Sequence, residues 1–282
     1  DSMARDLNGH AQDAPPGIPA GPYRFRIGRV SCTTHSRGEL LDHVERMLAE
    51  PPGPGRIVNC INPHIYNLAK RDPQLLDWIR EAAVTGADGL GIVWAARLLG
   101  LRLQERCDMI DSFKAFIADR RFRANRGVIL GGYEGHAELA AQHIHRVSSH
   151  CRIERTVSGF FEDEVYADTL RGMPDLDFVF VGMGTPKSER ISHMAARIRP
   201  EAVVWHVGGG TLEVLAGKVE EPPEWVKRHG LQWLHRFVNH PGRLWRRYLI
   251  GHPRFVASIA GNWVAGRRAT PLTGPGGSGE DR

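Results

Sequence analysis

The chain has 282 residues, 41% hydrophobic and 24% charged, with a formal net charge of +5. That balance gives one large core, or one core plus an appendage, and excludes a disordered chain. Its four cysteines (Cys32, Cys60, Cys107 and Cys151) are scattered without paired spacing, which argues against a disulfide framework or a zinc site and predicts reduced thiols in a cytosolic setting.

Residues 1–22 are polar and rich in Pro and Gly, so they are predicted to be an unstructured tail and not a signal peptide. Residues 24–31 alternate like a strand. Ser36 with Glu39 forms a capping box ahead of apolar positions 40, 41, 44, 47 and 48, which predicts a helix. Residues 56–61 read as a buried strand, and Asp72-Pro73 opens a short helix. A short β-like segment, 83–87, precedes Asp88-Gly89 and a helix over 92–99.

The β-rich runs 127–131, 152–157, 177–182 and 202–207 then alternate with helical stretches near 134–149, 162–171 and 185–198. This alternation predicts an α/β fold, a Rossmann-like, mainly parallel sheet with helices on both faces. It covers residues 23–217. From 218 to 268 the pattern changes to short amphipathic helices split by Gly230, Pro241-Gly242 and Gly251-His252-Pro253, a helical appendage. Residues 269–282 again read as an unstructured tail. No uninterrupted run of about 18 apolar residues occurs, so no spanning helix is expected and any membrane contact is peripheral.

Three of the four later strands end in glycines: Gly131-Gly132, Gly182-Met183-Gly184 and Gly208-Gly209-Gly210. At the carboxyl ends of parallel strands, glycines let backbone N–H groups approach a phosphate, although sheet turns also use glycine for geometry alone. There is no P-loop motif and no GxGxxG after the first strand, which disfavours a P-loop ATPase and a nicotinamide enzyme. Asp88 reads either as a base at the crevice or as a helix cap. Asn62-Pro63 reads as a turn, Asp111 as a helix-dipole partner, and Asp175-Leu176-Asp177 as a turn at the wrong end of its strand for a metal. The fourteen histidines form no close ligand pattern, and no metal is expected.

From Trp225 to Arg268 the chain carries nine Lys/Arg and no Asp or Glu, with four Trp, Phe237, Tyr248 and Phe255 interleaved. The rest of the chain therefore sums to −4 (5 − 9). A basic aromatic block on a mildly acidic body suits an anionic partner: a phosphate-bearing substrate, a membrane surface or nucleic acid.

Taken in order, these segments resemble the bacterial WecG/TagA/CpsF family, glycosyltransferase family 26, from about residue 24 to 256. The resemblance is carried by Asn62-Pro63, by Ala87-Asp88-Gly89-Leu90-Gly91-Ile92-Val93-Trp94, and by Arg97 to Gly100. Arg106 and Asp111 follow, then Leu130-Gly131-Gly132, Gly159-Phe160-Phe161, Gly182 to Glu189, Gly209 to Glu213, Gly230 to Arg236, and Arg246-Arg247-Tyr248.

The resemblance implies an inverting, metal-independent transfer of a sugar from a UDP donor to a polyprenyl-diphosphate-linked saccharide, with no cofactor beyond that co-substrate. It makes Asp88 the general base, with Asn62 beside it. It implies donor contacts from Cys60, Gly89, Asp111, Gly132, Gly182, Gly184, Pro186, Lys187, Ser188, Glu189, Gly209, Gly210 and Glu213. The acceptor diphosphate would fall to Arg236, Arg243, Arg246 and Arg247. The implied location is the inner face of the cytoplasmic membrane, with a homo-oligomer admitted. The chain departs from the family at Cys60 (usually Thr), Met109 (Gly), Ser188 (Gln), Glu213 (Asp) and Glu221-Pro222-Pro223 (Arg-Ala-Pro), which leaves the sugar open. A nucleic-acid-binding protein is the competing reading of the basic block, separable by oligonucleotide binding against salt. Another nucleotide-binding enzyme is a third, separable by UDP-sugar protection without an effect of NAD.

Overall fold

The computed structural model describes residues 21–101, 103, 106–122, 125–229 and 231–272, without the side chains of Glu224, Arg228 and Arg243. Most of both expected tails, together with Gly230, falls outside these residues.

The predicted strand 24–31 is two strands, β1 (Arg24–Ile27) and β2 (Val30–Thr33), paired antiparallel. Gly28 turns between them at φ 59°, a conformation open to glycine without steric cost. Ile27 and Val30 are both buried, so the apolar pattern runs straight through the turn and hides it. The capping box forms as predicted. Glu39 N–H donates to Ser36 Oγ at 3.3 Å and Ser36 N–H to Glu39 Oε2 at 2.8 Å, opening α1 (Arg37–Ala49). There follow β3 (Ile57–Ile61), α2 (Pro63–Ala69), α3 (Pro73–Glu81), β4 (Val84–Ala87), α4 (Leu90–Leu98) and α5 (Met109–Ala118). Asp72 caps α3 as expected, accepting from Gln74 N and Leu75 N.

The second half supplies β5 (Asn125–Gly131), α6 (His136–Val147), β6 (Cys151–Val157), α7 (Asp163–Arg171), β7 (Phe178–Gly182), α8 (Lys187–Ile198), β8 (Val203–His206) and α9 (Gly209–Leu215). The sheet order is β6-β5-β7-β8-β3-β4-β2-β1, parallel from β6 to β2. The fold is therefore the expected α/β, Rossmann-like one. Its two halves meet where β8 pairs with β3, and the C-terminal ends of β3, β4, β7 and β8 open on the same edge.

Alternation along the strands sorts the core into two layers. Phe178, Phe180 and Trp205 pack with Phe113 and Phe116 of α5; the Phe113–Phe180 and Phe116–Phe178 ring centroids lie 4.9 and 4.8 Å apart. Val179, Val181 and Val204 face the other way, onto Tyr166 of α7 and Ile191 and Ala195 of α8. Gly131 is a packing glycine: at φ 142° a Cβ there would sit 2.3 Å from Gly182 O. Asp177 accepts from Arg126 N at 2.7 Å at the entry to β7, in keeping with the turn expected there.

After α9 come α10 (Glu224–Arg228), α11 (Gln232–Asn239), α12 (Pro241–Trp245), a π-helical turn (Arg246–Gly251) and α13 (His252–Val264). α13 lies on α2 through a Tyr66–Phe255 edge contact at 5.1 Å and a Lys70 Nζ to Ser258 Oγ bond of 2.7 Å. Asn67 Nδ2 also donates to Gly251 O, at 2.7 Å. The expected unstructured tail from 269 is corrected at its start: β9 (Thr270–Leu272) pairs antiparallel with β1 as the ninth strand of the sheet. Among the described residues no helix is long and apolar enough to cross a membrane.

Candidate active site

A cavity of about 840 Å³ opens at the C-terminal ends of β3, β4 and β8 and is roofed by α11, the π-helical turn and α13. Of the residues implied by the resemblance it collects Cys60, Asn62, Asp88, Gly89, Gly184, Gly209, Gly210, Arg236 and Arg247.

Asp88 follows β4 directly, its backbone N–H held by Ile61 O at 2.8 Å. It is not a helix cap: α4 starts after Gly89, at φ 91°, with no side-chain cap bond. The side chain is thus left for the cavity. Burial pushes the Asp88 carboxyl up to about 6, helped by the Asp108 carboxylate and opposed by Arg236, Arg247 and a hydrogen bond from Asn62. Asn62 does two jobs. Its Oδ1 caps α2, accepting from His64 N and Ile65 N at 3.1 Å each. That fixes the amide so that its NH2 is the end left to donate to Asp88.

Arg236 of α11 and Arg247 of the π-helical turn bring the basic segment onto the core. Burial lowers His64 to about 4, with the Arg247 charge next and His252 after it. Burial also lowers His252, again with Arg247 next. The Arg247 Nε is buried without a hydrogen-bond partner. Arg246 is exposed over the Trp245 ring at 5.2 Å and is not in the cavity wall; the Arg243 side chain lies outside the described residues.

Pro186-Lys187-Ser188-Glu189 follows directly on Gly184 and Thr185 of the cavity wall. Lys187 Nζ donates to Gly159 O (3.1 Å) and Phe161 O (2.7 Å), tying two strand-end loops together. Ser188 Oγ accepts from Met183 N at 2.9 Å, and Glu189 Oε1 accepts from Thr185 Oγ1 at 2.8 Å. Pro186 precedes α8 as its cap residue. Gly132 N–H donates to Gly182 O at 2.9 Å, so this pair joins β5 to β7. Lys187, Ser188, Glu189, Pro186, Gly132, Gly182, Asp111 and Glu213 all lie outside the cavity lining. Asp111 is 3.8 Å from Lys227 Nζ and 3.9 Å from Arg106. Glu221 bonds both Lys114 and Lys227, so the family's lost positive charge becomes an anchor between α5 and the appendage.

Cys60 is a buried thiol raised well above its usual range by burial, then by Asp88 and Glu189, so it stays protonated. Met109, also departing from the family, lines the cavity at the start of α5.

Among the polar residues of the wall that the sequence reading did not assign to the site are Arg106, named there only as part of the resemblance, Asp108 and His206. Asp108 caps α5 through Ile110 N and Asp111 N, and Arg106 donates to Gln232 Oε1 of α11. His206 ends β8, with Nδ1 2.9 Å from Asn59 Oδ1. That oxygen also accepts from Cys60 N, so it is an acceptor and His206 Nδ1 carries the proton. Burial holds His206 neutral, opposed by Glu189, leaving Nε2 as an acceptor. A histidine closing a buried parallel strand was the available signal. Among the described residues no group of three or more His, Cys, Asp or Glu is placed to hold a metal ion.

A Rossmann-like sheet with a carboxylate and glycine turns at its open edge, roofed by arginines, defines an α/β protein with a candidate active site at the carboxyl ends of its strands. The chain belongs to the glycosyl transferase WecG/TagA/CpsF family, whose model matches residues 25–269. Among curated proteins it is similar to the N-acetylglucosaminyldiphosphoundecaprenol N-acetyl-beta-D-mannosaminyltransferase of Bacillus subtilis (strain 168), 26% identical over 73% of this chain and 79% of that one. The enzyme of the same name from Bacillus spizizenii is 29% identical, again over 73% and 79%. That from Staphylococcus aureus (strain MW2) is 25% identical over 79% and 86%.

Proposed function

We propose that this glycosyltransferase moves a sugar from a UDP donor to a saccharide carried on a polyprenyl diphosphate, with inversion and without a metal. The observation that carries this reading is Asp88, a carboxyl raised to about 6, facing one cavity with glycine turns on one side and Arg236 and Arg247 on the other. The acceptor hydroxyl oxygen attacks the anomeric carbon as its proton passes to Asp88. The bond from that carbon to the UDP oxygen breaks, and the diphosphate leaves with the electron pair. Arg236 and the N–H groups of the Gly208–Gly210 turn stabilise the charge that develops. A single displacement on an α-linked nucleotide sugar gives a β product, the linkage in the relatives' names.

N-acetylmannosamine is the first donor sugar to test, because it is the sugar those names print. The changes at Cys60 and Met109, both in the cavity wall, keep glucose and the uronic acid of N-acetylmannosamine in the screen as further candidate donor sugars. Exposed Trp225, Trp245, Trp263, Leu249 and Ile250, mixed with exposed Arg246 and Arg254, support seating on an anionic membrane, at its cytoplasmic face where nucleotide sugars reside. The test pairs thermal shift with turnover. Asp88→Asn is expected to keep UDP-sugar protection and lose transfer; near-normal turnover removes Asp88 as the base.

A further inference from the structure

The cavity has two chemically different ends. One holds Asp88, Asp108, His206 and the glycine turn after β8. The other is an apolar trough between two helices. α4 gives it Trp94, Ala95 and Leu98, and α13 gives it Phe255, Val256, Ile259 and Ala260. On each helix these positions fall on one stripe, at spacings of three, four and one residues. Gly91 lets the walls close in at the inner end: a Cβ there would lie 2.7 Å from Pro63 Cγ and 3.7 Å from Phe255 Cε1. At the outer end Trp94 (64% exposed), Leu98 (48%) and Val256 (62%) stand open to solvent. Arg247 marks the junction, because its field reaches Asp88, His64 at the start of α2 and His252 at the start of α13.

A guanidinium with a buried, unpartnered Nε at the mouth of an apolar trough fits a molecule that is anionic at one end and aliphatic at the other. A nucleoside base does not fit there, since beyond His252 the trough offers a base edge almost no polar partner. We propose that the α4–α13 trough seats the first isoprene units of the acceptor, next to its diphosphate on Arg247. The inference rests on the polyprenyl-diphosphate reading above. From Leu90 to Leu98 the helix rises about 12 Å, room for roughly two or three isoprene units. Seating them lifts the reacting sugar out of the headgroup layer to Asp88, while the rest of the tail leaves past Trp94 and Leu98 into the bilayer. The trough therefore contributes to acceptor choice independently of the membrane.

The test uses the full chain in detergent-free solution without vesicles. Acceptors carry one glycosyl diphosphate head on a methyl, geranyl or farnesyl tail. KM is expected to fall at least about tenfold from methyl to farnesyl, since several buried methylenes are at stake. In Ala260→Trp, and separately in Leu98→Asp, the methyl-to-farnesyl KM ratio is expected to collapse toward one. The ratio is internal to each preparation, so partial loss of folded protein cancels. A wild-type ratio near one, or a ratio unchanged in both variants, overturns the trough and leaves glycosyl transfer standing. Absence of transfer to every acceptor, with every UDP-sugar tried, overturns the parent reading instead.

Discussion

Replacing Asp88 by Asn is expected to stabilise the fold at neutral pH while abolishing transfer. A carboxyl whose pKa rises from 3.8 to about 6 on folding is harder to ionise in the native state than in the unfolded chain, by about 3 kcal/mol in full. Asp88 is only partly covered and faces an open cavity, so water screening reduces this to between about 1 and 3 kcal/mol. The sign follows from the raised value. Below about pH 3 the group is protonated in both states and costs almost nothing. As pH rises through 4 to 6 the unfolded chain ionises first and native stability falls, and above about 7 the whole penalty is present. Asparagine removes the ionisation and keeps an oxygen for the Asn62 amide. Melting temperatures of wild type and Asp88→Asn should therefore nearly coincide near pH 3 and separate by about 3–10 °C at pH 8, the variant being higher. A variant equal to or less stable than wild type at pH 8 refutes this electrostatic account of Asp88.

Turnover by the wild type should fall about tenfold per pH unit below about 6, as the base protonates. That limb is read from kcat/KM between pH 4.5 and 8. Arg236→Ala and Arg247→Ala should each cut kcat/KM on the order of a hundredfold with the circular dichroism spectrum unchanged, because both reach the Asp88 end of the cavity. Arg246→Ala, exposed outside the cavity wall, should cost far less in solution. Gly131→Ala should destabilise by about 3 kcal/mol or more, read by urea unfolding, since its Cβ would collide with the Gly182 carbonyl.

The parallel strands were legible because both faces of the sheet are covered, so 127–131, 177–182 and 202–207 read as continuous apolar runs. Capping chemistry was legible at Ser36 and Asp72 because the cap and the first turn adjoin in sequence. Asp88 was ambiguous for a physical reason: a carboxylate two residues before a helix serves as a cap or a base by the same letters. The left-handed turn at Gly89 decides between them, and only the fold shows it. The glycines told of close approach but not of what approaches. Gly131 meets the neighbouring strand and Gly132 meets α6 and α9, whereas Gly184, Gly209 and Gly210 line the cavity. Arg106 and Asp108 went unread as site residues because what aligns them is contact across the chain, with Gln232 and Asp88. Arg246 stands exposed outside the cavity wall, and a charge run does not say which face of a helical turn each charge takes.

The short β9 strand alters what kind of object the C-terminal segment is. The chain leaves the sheet after α9 and comes back to it at Thr270, with Ala269 N–H held by Leu99 O at 3.0 Å and three residues of β9 in register with β1. The arginine-bearing helices are thus a handle fixed at both ends. Arg236 and Arg247 face Asp88 at a high effective concentration set by the length of that handle, with no need to find it by diffusion. Severing β9 from β1 would convert the handle into a flail, diluting the anion-binding half of the centre without touching a single residue in it.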